Sequence, residues 1–153
     1  MDKTKKLNRY NRIYNQLEDL LKNSKDPIAN QSTILAILHH KFDYFFWTGF
    51  YRLIDGKLMV GPYQGSVACI LLKKDTGVCW SAINKKKTVI VKDVEEFAGH
   101  IACDSRSKSE IVVPVKNQQG EIMSVLDVDS KELDSFDEAD AEGLEKIVTL
   151  IYK

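Results

Sequence analysis

Two apolar, β-branched runs, Ser109–Lys116 and Glu121–Asp129, are separated only by Asn117-Gln118-Gln119-Gly120. A parallel return needs a crossover of a dozen residues or more, so a four-residue connection commits these runs to an antiparallel pair. A second pair is marked further upstream. FFWTGFYRLI (residues 45–54) leads to Asp55-Gly56 and then to KLMV, and Asp-Gly between apolar runs is a strong hairpin signal. VACILL (residues 67–72) reads as a further buried strand and Thr88–Val91 as a short one.

Helical spacing brackets these strands. Leu7, Tyr10, Ile13, Tyr14, Leu17, Leu20 and Leu21 recur at steps of three and four, which predicts an amphipathic helix over 4–22. Pro27 suits the first turn of a second helix, carried by Ile28, Ser32, Leu35 and Leu38 to about His40. Gly77–Lys87 reads as a short helix with Lys85, Lys86 and Lys87 at its negative end. Ser135-Phe136-Asp137-Glu138 has the form of a capping box and opens a last helix through Leu144, Ile147, Val148 and Ile151. The expectation is one α+β domain over 1–153, an antiparallel sheet with helices packed on one face and long site-forming loops on the other. Those loops are Gly61-Pro62-Tyr63-Gln64-Gly65 and Lys92–Lys108, the second long enough to suggest a functional role.

With 153 residues, one core can remove about 68–70% of the unfolded chain's surface from water, so the three cysteines are not needed as staples. Lys and Arg number 22 against 22 Asp and Glu, which argues against an electrostatic grip on nucleic acid. The charges are uneven along the chain, with ten basic and six acidic residues in 1–60 but three basic and ten acidic in 121–153. Solvated faces account for this, and end-to-end attraction between two copies is the other reading. No 18 apolar residues run together, and the basic start MDKTKKLNRYNR has no secretory apolar core behind it. A soluble protein of a reducing cytosol, with no membrane partner, is expected.

Cys69, Cys79 and Cys103 lie 10 and 24 residues apart with no CxxC, which fits neither a zinc finger nor a thioredoxin motif, and no metal is expected. Cys69 reads as a small buried strand residue and Cys79 as a helix-face core residue. Cys103 differs, because Gly99-His100-Ile101-Ala102-Cys103-Asp104-Ser105 is polar and non-periodic. Free backbone N–H groups and His100 there would favour the thiolate, the nucleophilic form. Asp127 and Asp129, two apart in a strand, share a face, and the tight hairpin sets Glu110 beside one of them. Three such acids near a thiol would welcome an ammonium group and raise at least one carboxyl pKa. Alternation places Trp47 and Tyr51 on one face and Phe46 and Phe50 on the other, so one pair is available to line a small pocket.

Trp47-Thr48-Gly49-Phe50-Tyr51, Gly61-Pro62-Tyr63-Gln64-Gly65 with Ala68-Cys69, Gly77-Val78-Cys79, Gly99–Asp104, Ser109–Pro114 and Val125–Ser130 together resemble the free methionine-(R)-sulfoxide reductases, a GAF-domain family. The match runs from about residue 30 to the C-terminus and includes the spacing of all three cysteines. The resemblance implies reduction of free L-methionine (R)-sulfoxide to methionine, with no bound cofactor and with thioredoxin or another dithiol as reductant. It assigns Cys103 as nucleophile, passing through a sulfenic acid, Cys69 as the residue that condenses with it to a disulfide, and Cys79 as a third catalytic cysteine that assists Cys69 or substitutes for it as resolver. Glu110, Asp127 and Asp129 would take the ammonium group and the sulfoxide oxygen, and Trp47 and Tyr51 the S-methyl group. Family habit and the N-terminal helix suggest a homodimer, with residues 1–22 available to its interface. The rival is a GAF domain that senses a small molecule or redox state without catalysis. A peroxide-reducing thiol enzyme is a third reading, and it would not need the acids.

Overall fold

The computed structural model describes residues 1–100 and 103–153; Ile101 and Ala102 of the long loop lie outside the described residues. Two helices come first, α1 (Lys3–Leu21) and α2 (Pro27–Lys41). Asp2 caps α1 by accepting from the Lys5 N–H, and Asp26 caps α2 by accepting from the Ile28 N–H with Pro27 directly behind it. The chain then lays down β1 (Trp47–Ile54), β2 (Lys57–Gln64), β3 (Leu71–Leu72), α3 (Gly77–Lys85), β4 (Val89–Val91), β5 (Ser109–Lys116), β6 (Ile122–Ser130) and α4 (Glu138–Val148). The strands form one six-stranded sheet in the order β3-β2-β1-β6-β5-β4, with every neighbouring pair antiparallel.

Each face of the sheet carries its own apolar cluster. On one face Phe50, Ile111, Val113, Leu126 and Val128 pack with Tyr10, Leu17, Ile34, Leu38, Leu144 and Ile147 from α1, α2 and α4. Nearly all of these are fully buried, and they form the main core. The same face carries a buried ion pair. Lys6 Nζ lies 2.6 Å from Asp140 Oδ2, while Tyr10 and Tyr44 donate to Asp140 Oδ1 at 2.8 and 2.6 Å. On the opposite face Val112 and Val125 pack with Trp47, Tyr51, Leu58 and, from α3, Val78, Cys79, Trp80 and Ala82. Three helices therefore cover one face, and α3 shares the other with the loops.

Three local expectations change. VACILL is not a strand: only Leu71 and Leu72 pair with β2, and Val67 and Ile70 are 84% and 69% exposed. Its apolar run therefore belongs to a surface loop, and Cys69 is half-buried within that loop. Conversely, Gly61-Pro62-Tyr63-Gln64 is not a loop but the second half of β2. The register jumps from Gly49↔Tyr63 to Tyr51↔Val60, so β2 carries a bulge, the place in a sheet where proline is tolerated. Helix α4 starts two residues later than the Ser135 signal suggests. Asp137 is the N-cap, and it forms the capping box with Asp140, while the Ser135 hydroxyl donates instead to Ser130 Oγ at 2.7 Å. An aspartate three residues into the helix takes the place usually held by glutamate.

Candidate active site

The three central strands place the site residues in rows. Trp47 pairs with Asp129, and Asp129 pairs on its other side with Glu110; one step along, Gly49 pairs with Asp127, and Asp127 with Val112. Strand alternation aims Trp47, Tyr51, Glu110, Asp127 and Asp129 all away from the three-helix core. They line a cavity of about 210 Å³, together with Cys69, Cys79, Cys103 and His100. The β5–β6 connection thus sets Glu110 directly opposite Asp129, one of the two pairings that the hairpin allows.

The aromatic wall depends on two glycines. The Trp47 indole stacks between Tyr51 at 5.9 Å and Tyr63 at 5.4 Å, with planes tilted by 22° and 21°. A Cβ on Gly49 would come within 2.5 Å of the indole, and one on Gly65, whose φ is +124°, would come within 2.8 Å of it. Any side chain at either position would displace the ring. Trp47 Nε1 donates to the Ser66 carbonyl at 3.0 Å, and the Tyr51 hydroxyl donates to the Cys69 carbonyl at 3.1 Å. The aromatic wall therefore also anchors the loop that carries Cys69. Tyr63 completes this wall from a segment that the sequence marks as a site-forming loop, because the bulge in β2 hides its place in the strand.

The acids sit where a charge is expensive. Glu110 and Asp127 are buried, and Asp129 keeps an edge toward the opening. Burial pushes the Glu110 carboxyl well above its ordinary range, and the neighbouring Asp127 and Asp129 push it further. Asp129 is raised well above its usual value by burial and then by Asp127. Burial also raises Asp127, although hydrogen bonds from Glu110 and Cys79 partly offset the rise. Burial and the proximity of like charges thus favour the protonated form across the trio. One acceptor is left over, since Asp127 Oδ1 is buried with no hydrogen-bond partner among the described residues.

The thiols divide in the same way. Cys69 and Cys103 form a disulfide across 34 residues of chain, with Cα atoms 5.7 Å apart, at the edge of the pocket. Cys103 is exposed. Cys79 is free and buried, and burial first, then Asp127 and Glu110, push its thiol well above the ordinary range. It is a poor thiolate and a good hydrogen-bond donor to Asp127. His100 lines the pocket with its Nε2 buried and without a partner among the described residues, and burial lowers its pKa, which favours the neutral imidazole. Asp104 is not part of the acid trio. Hydrogen bonds from Arg106 and Ser66 hold its carboxyl far below the usual range.

Among the described residues, Cys79, Glu110 and Asp127 are the one group whose ligand atoms fit a cation, all lying within 4.8 Å of one another. A bare divalent ion there would have to displace protons from three groups whose pKa values are all raised. A ligand that brings positive charge together with its own N–H donors suits the site better. No helix among the described residues is long and apolar enough to cross a membrane.

The GAF-domain family signature matches residues 31–151. The chain is 46% identical over 152 residues to GAF domain-containing protein A of Dictyostelium discoideum, covering 99% of this chain and 95% of that one. It is 37% identical over 155 residues to the free methionine-R-sulfoxide reductase of Escherichia coli, covering 100% of this chain and 90% of the relative. Among solved structures, the free methionine-R-sulfoxide reductase of Neisseria meningitidis in complex with its substrate superimposes with a TM-score of 0.90 at 37% identity, covering 99% of this chain and 89% of that one. With the acids, the aromatic wall and the cysteine pair already set on one face of the sheet, these likenesses make the chain a member of the GAF-domain family, in the group of the free methionine-R-sulfoxide reductases.

Proposed function

We propose that the protein reduces free L-methionine (R)-sulfoxide to L-methionine at this pocket. The observation that carries the reading is the Cys69–Cys103 disulfide set at the edge of a pocket with three carboxyl groups and a stacked aromatic wall. The substrate ammonium group donates to the carboxylates, and Asp127 Oδ1, buried and without a partner, is an acceptor ready for it. The S-methyl group lies against Trp47 and Tyr51. A protonated carboxyl, Glu110 or Asp129, donates to the sulfoxide oxygen.

With both cysteines reduced, the Cys103 thiolate attacks the sulfoxide sulfur as the oxygen takes up a proton. Methionine leaves, and Cys103 becomes a sulfenic acid. Attack by the Cys69 thiol on that sulfur expels the oxygen as water and forms the disulfide. Two electrons from an external dithiol, thioredoxin in the family's manner, restore both thiols, so the protein needs no bound cofactor. Cys79 serves as a buried donor to Asp127, and its raised pKa argues against a role as nucleophile. The acid cluster also selects the free amino acid. A peptide nitrogen brings no charge and one N–H in place of three, and would leave buried carboxylates unpaired.

The test is methionine formation from the separated R and S epimers with dithiothreitol, for the native chain and for Cys103→Ser. Turnover of the R epimer alone, lost in Cys103→Ser, is the expected result. No turnover of either epimer removes the reductase reading and leaves a ligand-sensing GAF domain. Activity that survives in Cys103→Ser keeps the reaction and removes Cys103 as nucleophile.

A further inference from the structure

The disulfide joins two loops that no strand holds together. Cys69 lies in the exposed stretch between β2 and β3, and Cys103 in the loop between β4 and β5. Apart from the disulfide itself, a clasp of polar side chains links them. Ser66 Oγ donates to Asp104 Oδ2 at 2.8 Å, which ties a residue three before Cys69 to the residue after Cys103. Asp104 Oδ1 accepts from the Arg106 backbone N–H at 2.9 Å and from Arg106 Nε at 3.0 Å, and Arg106 Nη2 reaches Oδ2 at 2.7 Å. The Arg106 guanidinium in turn rests over the Phe46 ring, 4.9 Å from its centroid. Phe46 directly precedes β1, so both ends of the clasp are anchored to the strand that carries the aromatic wall: Arg106 through Phe46, and Ser66 through its carbonyl on Trp47 Nε1.

We propose that Ser66, Asp104 and Arg106 are positioning residues for the second half of the reaction, holding the Cys69 loop against the Cys103 loop so that the two sulfurs meet. They touch neither the acids nor the stacked rings with their own side-chain polar atoms, so they act through the cysteines. The step they serve balances internally. The Cys69 sulfur attacks the Cys103 sulfenic sulfur, the S–O bond breaks, and the oxygen leaves as water with the proton from Cys69, so no outside oxidant enters. Asp104 suits the task chemically, because its carboxylate stays ionised and keeps all its acceptor sites in use.

This inference rests on the proposed reaction for its meaning, but one arm of its test does not. Native protein, Ser66→Ala, Ser66→Thr and Asp104→Asn are equilibrated in reduced and oxidised glutathione, and the Cys69–Cys103 disulfide is quantified by thiol alkylation and mass. Ser66→Ala and Asp104→Asn are expected to lower the equilibrium constant for the disulfide by about tenfold, the worth of one hydrogen bond to a partly exposed charge, and Ser66→Thr to restore it. In the second arm, one equivalent of the sulfoxide is added to reduced protein with dimedone present. Ser66→Ala should form methionine at the native rate but accumulate several times more dimedone adduct on Cys103. An unchanged glutathione equilibrium in both Ser66→Ala and Asp104→Asn overturns the proposal, as does a failure of Ser66→Thr to rescue. A shifted equilibrium in a protein that makes no methionine upholds the clasp and removes only the reductase reading.

Discussion

Replacing Glu110 with glutamine should make the protein more stable at high pH while damaging its site. Glu110 is 5% exposed, and its carboxyl is raised by burial and by the charges of Asp127 and Asp129. An unfolded glutamate titrates near pH 4.3, so between that pH and its raised native pKa the folded state binds a proton that the unfolded state lacks. Folding stability therefore falls as pH rises through that window, by up to about 1.4 kcal/mol per pH unit for one group. Glu110→Gln removes this slope, and its amide can still donate to the facing carboxylates. For a chain of this size about 1.4 kcal/mol corresponds to roughly 3–6 °C in Tm. Thermal unfolding of the oxidised protein, followed by circular dichroism from pH 5 to pH 8, should show Tm falling for the native chain and falling less for Glu110→Gln. Near pH 5 the two should be close, and at pH 8 the variant should be the more stable. A Tm difference that is constant across the range, or a variant less stable at pH 8, would refute the raised pKa of the Glu110 carboxyl.

Gly49→Ala places a methyl group where the Trp47 indole lies, so near-ultraviolet circular dichroism should change, and turnover of the R sulfoxide should drop by at least tenfold while the fold persists. Asp140→Ala removes the nearest partner of the buried Lys6 ammonium, leaving it the Ser135 carbonyl at 3.0 Å and Asp137 at 3.5 Å, and frees the Tyr10 and Tyr44 hydroxyls; urea unfolding should report a loss of about 3 kcal/mol. N-acetylation of the sulfoxide substrate removes the ammonium charge, and kcat/KM should fall by about 10³ or more, because the buried carboxylates lose their partner.

Where one periodicity or one turn decides the geometry, the fold is legible in the chain. The five residues between β5 and β6 dictate an antiparallel pair, and with it the meeting of Glu110 with one of the two aspartates, of which the ladder takes Asp129. Asp26-Pro27 opens α2, and Asp55-Gly56 turns β1 into β2. Where tertiary context overrides local pattern, the reading fails. Val67, Ala68, Ile70, Leu71 and Leu72 look like a buried strand because they are apolar, but a strand needs a partner edge, and β2 offers pairing only near Leu58 and Met59. Gly61-Pro62 looks like a turn because proline cannot join a regular ladder, but a bulge removes that requirement. The Ser66–Asp104 contact spans 38 residues between two irregular segments, and neither segment has a period from which its geometry could be derived.

The two faces of the sheet divide the work of folding and chemistry. The site face holds three buried acids whose charges repel, two glycines kept for the sake of one ring, and an unpartnered buried acceptor, each of them a cost to the folded state. A single-layer core around those groups would be marginal. The opposite face carries the compensation, with side chains from α1, α2 and α4 almost wholly removed from water against Phe50, Ile111 and Leu126. Because neighbouring residues of one strand serve the two faces alternately, Leu126 and Val128 anchor the main core while Asp127, between them, faces the pocket. The strand cannot shift to relieve the acids without turning those apolar side chains out of the core. A one-residue slip in β6 would reverse every side chain, so the stability of the helical face is what holds the carboxylates in their unfavourable proximity.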